Sequence, residues 1–302
     1  MSYSIRPGRP LTGEVTRVAE IQYRRAIESL RNRPDGPHEA IHEARKRFKR
    51  LRGLFRLVRA AAPEFCAREN ARVRDIASTL SAVRDATALV EAMDHLLASG
   101  AASSHLPELA AIRDRLACRR DRIASAETDL EAKIAAAIAD CQDGIAALAG
   151  LKLPKSKARA VELLARGVAR NYGRAVRALE AATASGLAED WHDLRKRIKY
   201  HRMHVQLMSP VWPGDMAMRA EISDLAGEAL GDDHDLANLE ALIASDPDTI
   251  GDPAEIATLR TVMAARSAEL HEKVRGIVKN LLKDDKKLVR SRIAALWRDA
   301  AG

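Results

Sequence analysis

The stretch HEARKRFK at residues 42–49 decides how this sequence is interpreted, because it recurs as HDLRKRIK at residues 192–199. The second copy begins 150 residues after the first, and identical residues recur at the same offset elsewhere in the chain. Matches that extend over several segments without a gap indicate an internal duplication. We therefore predict two related halves, residues 1–150 and 151–302. The further matching pairs are Arg24 and Arg174, Arg52 and Arg202, Leu80 and Leu230, Asp85 and Asp235, and Leu89 and Leu239.

Each basic stretch has the residue spacing of an amphipathic helix. At 100° per residue the positively charged side chains fall on one arc of about 120°, and apolar side chains such as Phe48 and Ile198 fall on the opposite side. From His42 to Arg56 such a helix rises about 21 Å, which is long enough to contact several successive phosphate groups. The two cationic arcs consist of His42, Arg45, Lys46, Lys49, Arg52 and Arg56 in the first half, and of His192, Arg195, Lys196, Lys199 and Arg202 in the second.

The rest of the chain also favours helices. The 302 residues include only 3 Trp, 4 Tyr and 3 Phe, whereas the strands of sandwiches and barrels are enriched in aromatic residues. Clusters rich in Pro, Gly and Ser divide the sequence into eight long segments, and apolar residues recur in these segments at intervals of three and four. We therefore predict an all-α protein with eight helices, organised as two copies of a four-helix unit.

The charge of the chain indicates the kind of partner. The formal net charge is +8 and the isoelectric point is about 9.6, so an anionic partner is expected. A basic helix face is often merely solvated, but like charges at positions i and i+4 repel each other, and both halves retain that arrangement. Arginine forms paired hydrogen bonds to phosphate oxygens, lysine adds a compact charge, and histidine titrates near neutral pH. The mixture favours an extended, phosphate-rich polyanion.

Four more charged residues are candidates for the same site. Arg24 and Arg174 are further candidate anion ligands, although long basic side chains on a helix often only cover the core. Asp85 and Asp235 are expected to support the site by holding an Arg or a His in one rotamer.

Targeting signals and metal-binding patterns are not evident. The first residues, MSYSIRPGRP, lack the apolar core of a signal peptide, and no later run approaches the roughly 18 apolar residues of a membrane span. We expect a cytoplasmic protein that does not bind membranes. Cys66, Cys118 and Cys141 lack metal-ligand spacing and are interpreted as small buried residues. We predict no metal and no cofactor.

The paired basic helix resembles the CHAD domain family. A second shared motif is Leu230-Gly231 to Asp235, which Leu80 to Asp85 repeats less well, and the resemblance extends from about residue 10 to residue 300. The sequence departs from exact symmetry at three pairs of positions. These pairs are Ser81 and Gly231, Arg84 and His234, and residues 50–51 and 200–201.

The resemblance implies a fold, a ligand and a site. Members of the family are single all-helical domains of two pseudosymmetric four-helix bundles, which bind inorganic polyphosphate through a central basic cavity. By similarity the cavity would be lined by the two cationic arcs, and the protein would associate with polyphosphate granules. Many members are fused to a triphosphate-processing tunnel domain with a Glu-x-Glu-x-Lys strand motif, which this sequence lacks. We therefore predict binding of polyphosphate without catalysis.

Two other functions remain as alternatives. The dipeptide His234-Asp235, together with His192, His201 and His204, suggests a helical metal-dependent phosphohydrolase. Such a site requires convergent ligands, whereas His201 and His204 are expected on the apolar side of their helix. The net charge also suits a nucleic-acid-binding protein, but no stacking aromatics or recognition motif accompany the basic helices.

Overall fold

A computed structural model describes residues 3–301, apart from the side chain of Ala82. All regular structure within this range is helical, which confirms the predicted all-α class. Four short 3-10 helices join some of the α-helices. The α-helices are α1 (Leu11–Asn32), α2 (Gly36–Val58), α3 (Pro63–Thr79), α4 (Ala82–Leu97), α5 (Leu106–Ala126), α6 (Leu130–Ala147), α7 (Lys157–Ser185), α8 (Ala188–Leu207), α9 (Pro213–Ser245), α10 (Pro253–Leu281) and α11 (Lys286–Ala300).

The prediction of eight helices is wrong, because residues 3–301 contain eleven α-helices. Three of the predicted segments each divide in two, at positions without Pro or Gly. The breaks separate α3 from α4, α5 from α6, and α10 from α11. At the last of them the Asp285 side chain accepts a hydrogen bond from the backbone N–H of Lys287 at 2.6 Å and starts the new helix. At this break a short polar side chain thus starts a new helix within a segment that apolar spacing alone would continue.

The first and second halves differ at one of these breaks. With 150 added to the residue numbers, α3 and α4 both fall on α9, which is continuous over 33 residues. The first half is interrupted near Ser81, whereas Gly231 lies inside α9. Thr79 at the end of α3 turns its hydroxyl back onto the carbonyl oxygen of Ile76 at 2.9 Å, a contact that competes with helix continuation.

The apolar faces of the two basic helices form part of one buried core. Phe48 and Leu51 of α2, and Trp191 and Ile198 of α8, are each no more than 1% exposed. Helix α2 packs on α1, α3, α7 and α8, whereas α8 packs on α7 and α9. These contacts hold both helices with their cationic arcs away from the core.

Gly53 determines how closely α2 and α8 approach each other. A Cβ atom at Gly53 would lie 2.7 Å from Sδ of Met203, which is closer than such atoms pack. At the same crossing His204 Nε2 donates a hydrogen bond to the carbonyl oxygen of Gly53 at 3.2 Å. The absence of a side chain at residue 53 therefore brings the two basic helices together.

The cysteines differ from the prediction at one position. Cys66 and Cys141 are buried, as predicted, but Cys118 is exposed, because it lies on the solvent side of α5. Burial raises the pKa of the Cys66 thiol to about 11 and that of Cys141 to about 12, so both thiols are uncharged at neutral pH. Over residues 3–301, no helix combines the length and the apolar character needed to cross a membrane.

Candidate anion-binding cavity

A cavity of about 1000 Å³ lies between the basic helices and their neighbours. Eight Arg or Lys residues line it, against two Asp, and they come from both halves of the chain. The charged and histidine side chains of the lining are His42, Arg45, Lys49 and Arg52 of α2, Arg84 and Asp85 of α4, Arg119 of α5, His192, Arg195, Lys196 and Lys199 of α8, and His234 and Asp235 of α9.

The structure brings eight of the eleven predicted cationic-arc residues to this cavity. Lys46 and Arg202 lie outside its lining, and each pairs with a carboxylate: Lys46 Nζ lies 2.5 Å from Glu43, and the Arg202 guanidinium lies 2.5 Å from Asp224. Arg56 also lies outside and places its guanidinium 4.2 Å from the centre of the Tyr200 ring. These three side chains do not line the cavity in this structure, and their contact with a polyanion stays a prediction.

The two further candidates also lie elsewhere. Arg24 is an exposed residue of α1 that pairs with Glu20 at 2.6 Å, one helical turn away. Arg174 of α7 lines a separate groove with Arg56 and Arg197. The sequence offset between Arg24 and Arg174 thus reflects matching helices, and neither side chain reaches the cavity.

Several lining residues were not predicted as ligands. Arg84 and His234 occupy equivalent places on α4 and α9, so the 150-residue offset alone could have identified them. Arg119 on α5 carried no such signal, because residue 269 at the same offset is Glu. Tyr200 completes this set on α8.

The predicted supporting residues are placed beside arginines. Asp85 lies 3.6 Å from the Arg45 guanidinium, which also donates a hydrogen bond to the carbonyl oxygen of Ala77 at 3.2 Å. In the second half, loss of hydration lowers the pKa of Arg195, and the negative charge of Asp235 partly offsets this effect. The Arg195 guanidinium packs against Gly231, where a Cβ atom would lie 3.4 Å from Nη2, an ordinary contact distance.

Comparisons with known proteins identify the family. A sequence profile described as the CHAD domain matches residues 17–244, which is most of the chain. The chain belongs to the CHAD domain family. This confirms the resemblance found in the paired basic helices, and the family is related to inorganic polyphosphate. No curated protein sequence matches the chain.

Two solved structures share the CHAD fold with this chain. One is PptA from Streptomyces chartreusis, with 18% sequence identity and a TM-score of 0.60, covering 91% of this chain and 100% of PptA. The other is the CHAD domain from the plant Ricinus communis, with 17% identity and a TM-score of 0.54, covering 98% and 95% of the two chains. At these identities the comparison supports the fold alone.

The lysines of this CHAD domain are crowded by like charge. Loss of hydration inside the cavity and the neighbouring charges of Arg45 and Arg195 lower the pKa of Lys49 to about 8. Loss of hydration, Arg195 and Lys49 lower the pKa of Lys199 to about 7, against an ordinary value near 10.5. Positive charges of the two halves therefore repel each other at Lys49 and Lys199. An anion between them would stabilise both charges.

The cavity histidines are uncharged at neutral pH. Loss of hydration and nearby cations hold the pKa of His42 and His192 below the ordinary value. Loss of hydration, followed by the charge of Arg195, lowers the pKa of His234 to about 4. His42 can still donate one hydrogen bond to a phosphate oxygen. So can one ring of His192 and His234, since the other ring donates its single N–H between their Nδ1 atoms. Each ring gains a charge when an anion favours its protonation.

The histidines that suggested a metal-dependent phosphohydrolase lie in two different environments. His192 and His234 line the cavity, whereas His201 and His204 are 2% and 1% exposed in the core, as their apolar side predicted. A different cluster, Glu39, His42 and Glu43, places potential metal-ligand atoms within 4.8 Å of one another. The sequence signal for it was the spacing of two glutamates around His42 on one helix.

Proposed function

We propose that this CHAD domain binds inorganic polyphosphate in the cavity between its two basic helices, and that it does not hydrolyse the polymer. The observation that carries the proposal is the excess of cations that line one cavity. Eight Arg or Lys side chains from both halves line the cavity, and the lining contains only two carboxylates, Asp85 and Asp235. Glu91 and Asp193, outside the lining, pair with Arg84 and Lys196, so the cations remain in excess. Such an excess is unfavourable unless a polyanion neutralises it.

The chemistry of the lining suits successive phosphate groups. Arg45 and Arg195 offer planar, bidentate donors, and Lys49 and Lys199 supply point charges at the middle of the cavity. A volume of about 1000 Å³ exceeds what one phosphate ion occupies, so several units of a polymer fit between the helices. The proposed architecture is therefore two pseudosymmetric bundles that share one central basic cavity.

The proposal of binding without catalysis rests on the partners of the carboxylates. Asp85 is engaged with Arg45, and Asp235 acts on Arg195 and Lys199. Neither aspartate belongs to the group of convergent metal ligands found among the described residues. Arginine and lysine charges can stabilise the bound polymer and the transition state of its hydrolysis to the same extent. Such charges strengthen binding but do not accelerate hydrolysis.

Calorimetry with long-chain polyphosphate tests the binding proposal. We expect tight binding that weakens steeply with salt, and much weaker binding of orthophosphate, because a polymer releases many counterions at once. ATP and duplex DNA serve as competing anions, and preferential binding of DNA would favour the nucleic-acid alternative instead. Equal affinity for orthophosphate and the polymer would contradict the proposal.

Charge-reversal variants locate the ligand in the cavity. The pairs Arg45→Glu/Lys49→Glu and Arg195→Glu/Lys199→Glu should each abolish most of the binding, because both halves line one cavity. The control Lys157→Glu/Arg159→Glu makes the same change of charge at the exposed start of α7, outside the cavity lining. If the control weakened binding as much as the cavity pairs, the site would lie elsewhere.

Phosphate release tests the absence of catalysis. Purified protein with polyphosphate and Mg²⁺ or Mn²⁺ should release phosphate only at the background rate over hours. Multiple turnovers that disappear in Asp85→Asn or Asp235→Asn would contradict the proposal and make these aspartates candidate catalytic residues of a metal-dependent phosphohydrolase.

Binding of this kind also suggests where the protein works. We propose a cytoplasmic protein that associates with polyphosphate granules. Fluorescence microscopy of the tagged protein tests this, with the Arg195→Glu/Lys199→Glu variant as a control that should not follow the granules.

A further inference from the structure

A second basic depression lies beside the cavity, on the adjacent side of α8. We call it the arginine groove; its volume is about 450 Å³. It lies among α2, α7 and α8. Its lining consists of Arg56, Arg174, Arg177, Ala178, Ala181, Asp190, Asp193 and Arg197.

The two carboxylates of the groove are already engaged. Asp193 pairs with Arg197 at 3.0 Å and with Lys196 at 3.2 Å. Asp190 accepts a hydrogen bond from the Ser185 hydroxyl at 2.6 Å. Asp193 is therefore paired with cations of α8, and the four arginines of the groove outnumber its two carboxylates.

Three arginines of the groove therefore lack a carboxylate partner among the described residues. These residues are Arg56 of α2 and Arg174 and Arg177 of α7. Loss of hydration and the charges of Arg197 and Arg56 lower the pKa of Arg174, which shows that the cations repel one another across three helices. On an ordinary exposed face, charges of both signs alternate and avoid this cost.

A close helix crossing produces this convergence. A Cβ atom at Gly167 of α7 would overlap the backbone carbonyl oxygen of Leu57, so α7 approaches α2 directly beside Arg56. Arg174 and Arg177 follow Gly167 by about two and three turns of α7. The fold thus holds arginines of both halves close together, at the end of the basic helix α2.

Arg56 connects the groove with the cavity. Its guanidinium lies 4.2 Å from the centre of the Tyr200 ring, and Tyr200 itself lines the cavity. The Nε atom of Arg56 is buried and has no hydrogen-bond partner within residues 3–301. An anionic chain that leaves the cavity past Tyr200 therefore next meets Arg56 and then the two arginines of α7.

We propose that the arginine groove is a second phosphate-binding site, which receives the part of a long polyphosphate chain that extends out of the cavity. This inference rests on the proposed function, because the cavity must hold the first part of the same chain. Once that part is bound, the next phosphates are at high effective concentration at the groove. Short polyphosphates that fill only the cavity gain nothing from it.

The variant Arg174→Ala/Arg177→Ala tests the groove by comparing two ligands, long-chain polyphosphate and tripolyphosphate. Both arginines are exposed, so we expect the fold to be retained, and circular dichroism checks this. For long-chain polyphosphate we expect roughly tenfold weaker binding at low salt and a salt slope smaller by about 2, one for each lost phosphate contact. Binding of tripolyphosphate should not change.

A matched control separates the groove from net charge. The variant Lys157→Ala/Arg159→Ala removes the same two charges from exposed positions of α7, and Arg159 lies about 22 Å along the helix axis from Arg174. Equal loss of long-chain binding in the control and groove variants would overturn the inference. An equal loss of binding for long-chain polyphosphate and tripolyphosphate in the groove variant would also overturn the inference. Unchanged binding of both ligands would overturn it as well. Failure of the wild-type protein to bind long-chain polyphosphate would instead overturn the proposed function.

Discussion

The Nδ1 atoms of His192 on α8 and His234 on α9 lie 2.9 Å apart, with ring centroids at 4.1 Å. A contact of this length between two imidazole nitrogens needs one donor and one acceptor, so one proton is shared between the facing atoms. Protonation of both would bring two positive charges together beside Arg195, which agrees with the lowered pKa of both histidines. The pair is therefore uncharged at neutral pH until an anion enters.

Polyphosphate should raise the pKa of both histidines. Phosphate oxygens in the cavity favour the imidazolium forms of His192 and His234, and the pKa of His234 should increase from about 4. NMR titration of the imidazole signals, with and without ligand, measures both values. His204 serves as an internal control, because it is buried in the core, where its pKa is about 4. Unchanged values for His192 and His234 in the presence of bound polymer would place the ligand elsewhere.

Polyphosphate affinity should fall as the pH rises from about 6 to about 9. Lys199 and Lys49 lose their protons near pH 7 and pH 8 in the free protein, and the ligand must then supply the free energy to protonate them again. Calorimetry at constant ionic strength measures this dependence. The variant Lys49→Arg/Lys199→Arg keeps both charges and should flatten the pH profile. A wild-type profile that is already flat would contradict the assignment of these lysines to the site.

The ligand-free protein should become more stable as the pH rises from about 7 to about 9, below the range in which the unfolded thiols of Cys66 and Cys141 ionise. The pKa of Lys199 is about 7 in the folded state and near 10.5 in the unfolded chain. Between these values the unfolded chain binds more protons, so the free energy of unfolding increases with pH and is reduced again as the pH falls through 7. Urea denaturation at a series of pH values measures the change, and a decrease over this range would contradict it.

Replacement of Lys199 should weaken polyphosphate binding and raise the free energy of unfolding. Lys199→Met removes a crowded charge and keeps the length of the side chain, so the free energy of unfolding at pH 7 should rise by on the order of 1 kcal/mol. The same variant should bind polyphosphate more weakly. Lys157→Met at the exposed start of α7 is the matched control and should change neither quantity. A less stable Lys199→Met protein would mean that the lysine contributes to the fold.

Substitution of Gly53 should destabilise the protein. In most helices Gly→Ala stabilises, by up to about 1 kcal/mol. Here the new Cβ atom would lie 2.7 Å from Sδ of Met203, so we expect Gly53→Ala to cost about 1–3 kcal/mol instead. Chemical denaturation measures the difference. In the Met203→Ala background the contact with Sδ is removed, whereas the Cβ of residue 203 stays 3.0 Å away, so the penalty should become smaller. An equal penalty in both backgrounds would contradict this account of the crossing.

Helical periodicity in the sequence was sufficient for the fold class and for the two basic helices. Phe48, Leu51 and Ile198 are buried as their arcs predicted, because an amphipathic helix can satisfy its apolar face only against a core. The 150-residue offset likewise predicted which positions on α2 and α8 correspond. It did not predict the helix breaks, because those depend on local polar contacts such as the cap at Asp285.

Only the tertiary structure decided which cationic side chains line the same cavity. Lys46 and Lys196 occupy equivalent positions, yet only Lys196 lines the cavity, and Arg56 lies outside it, in the adjacent groove. Periodicity gives the direction of a side chain relative to its own helix axis. The crossing of α2 and α8 at Gly53, and the carboxylates that neighbouring elements present, determine which part of each arc faces the other.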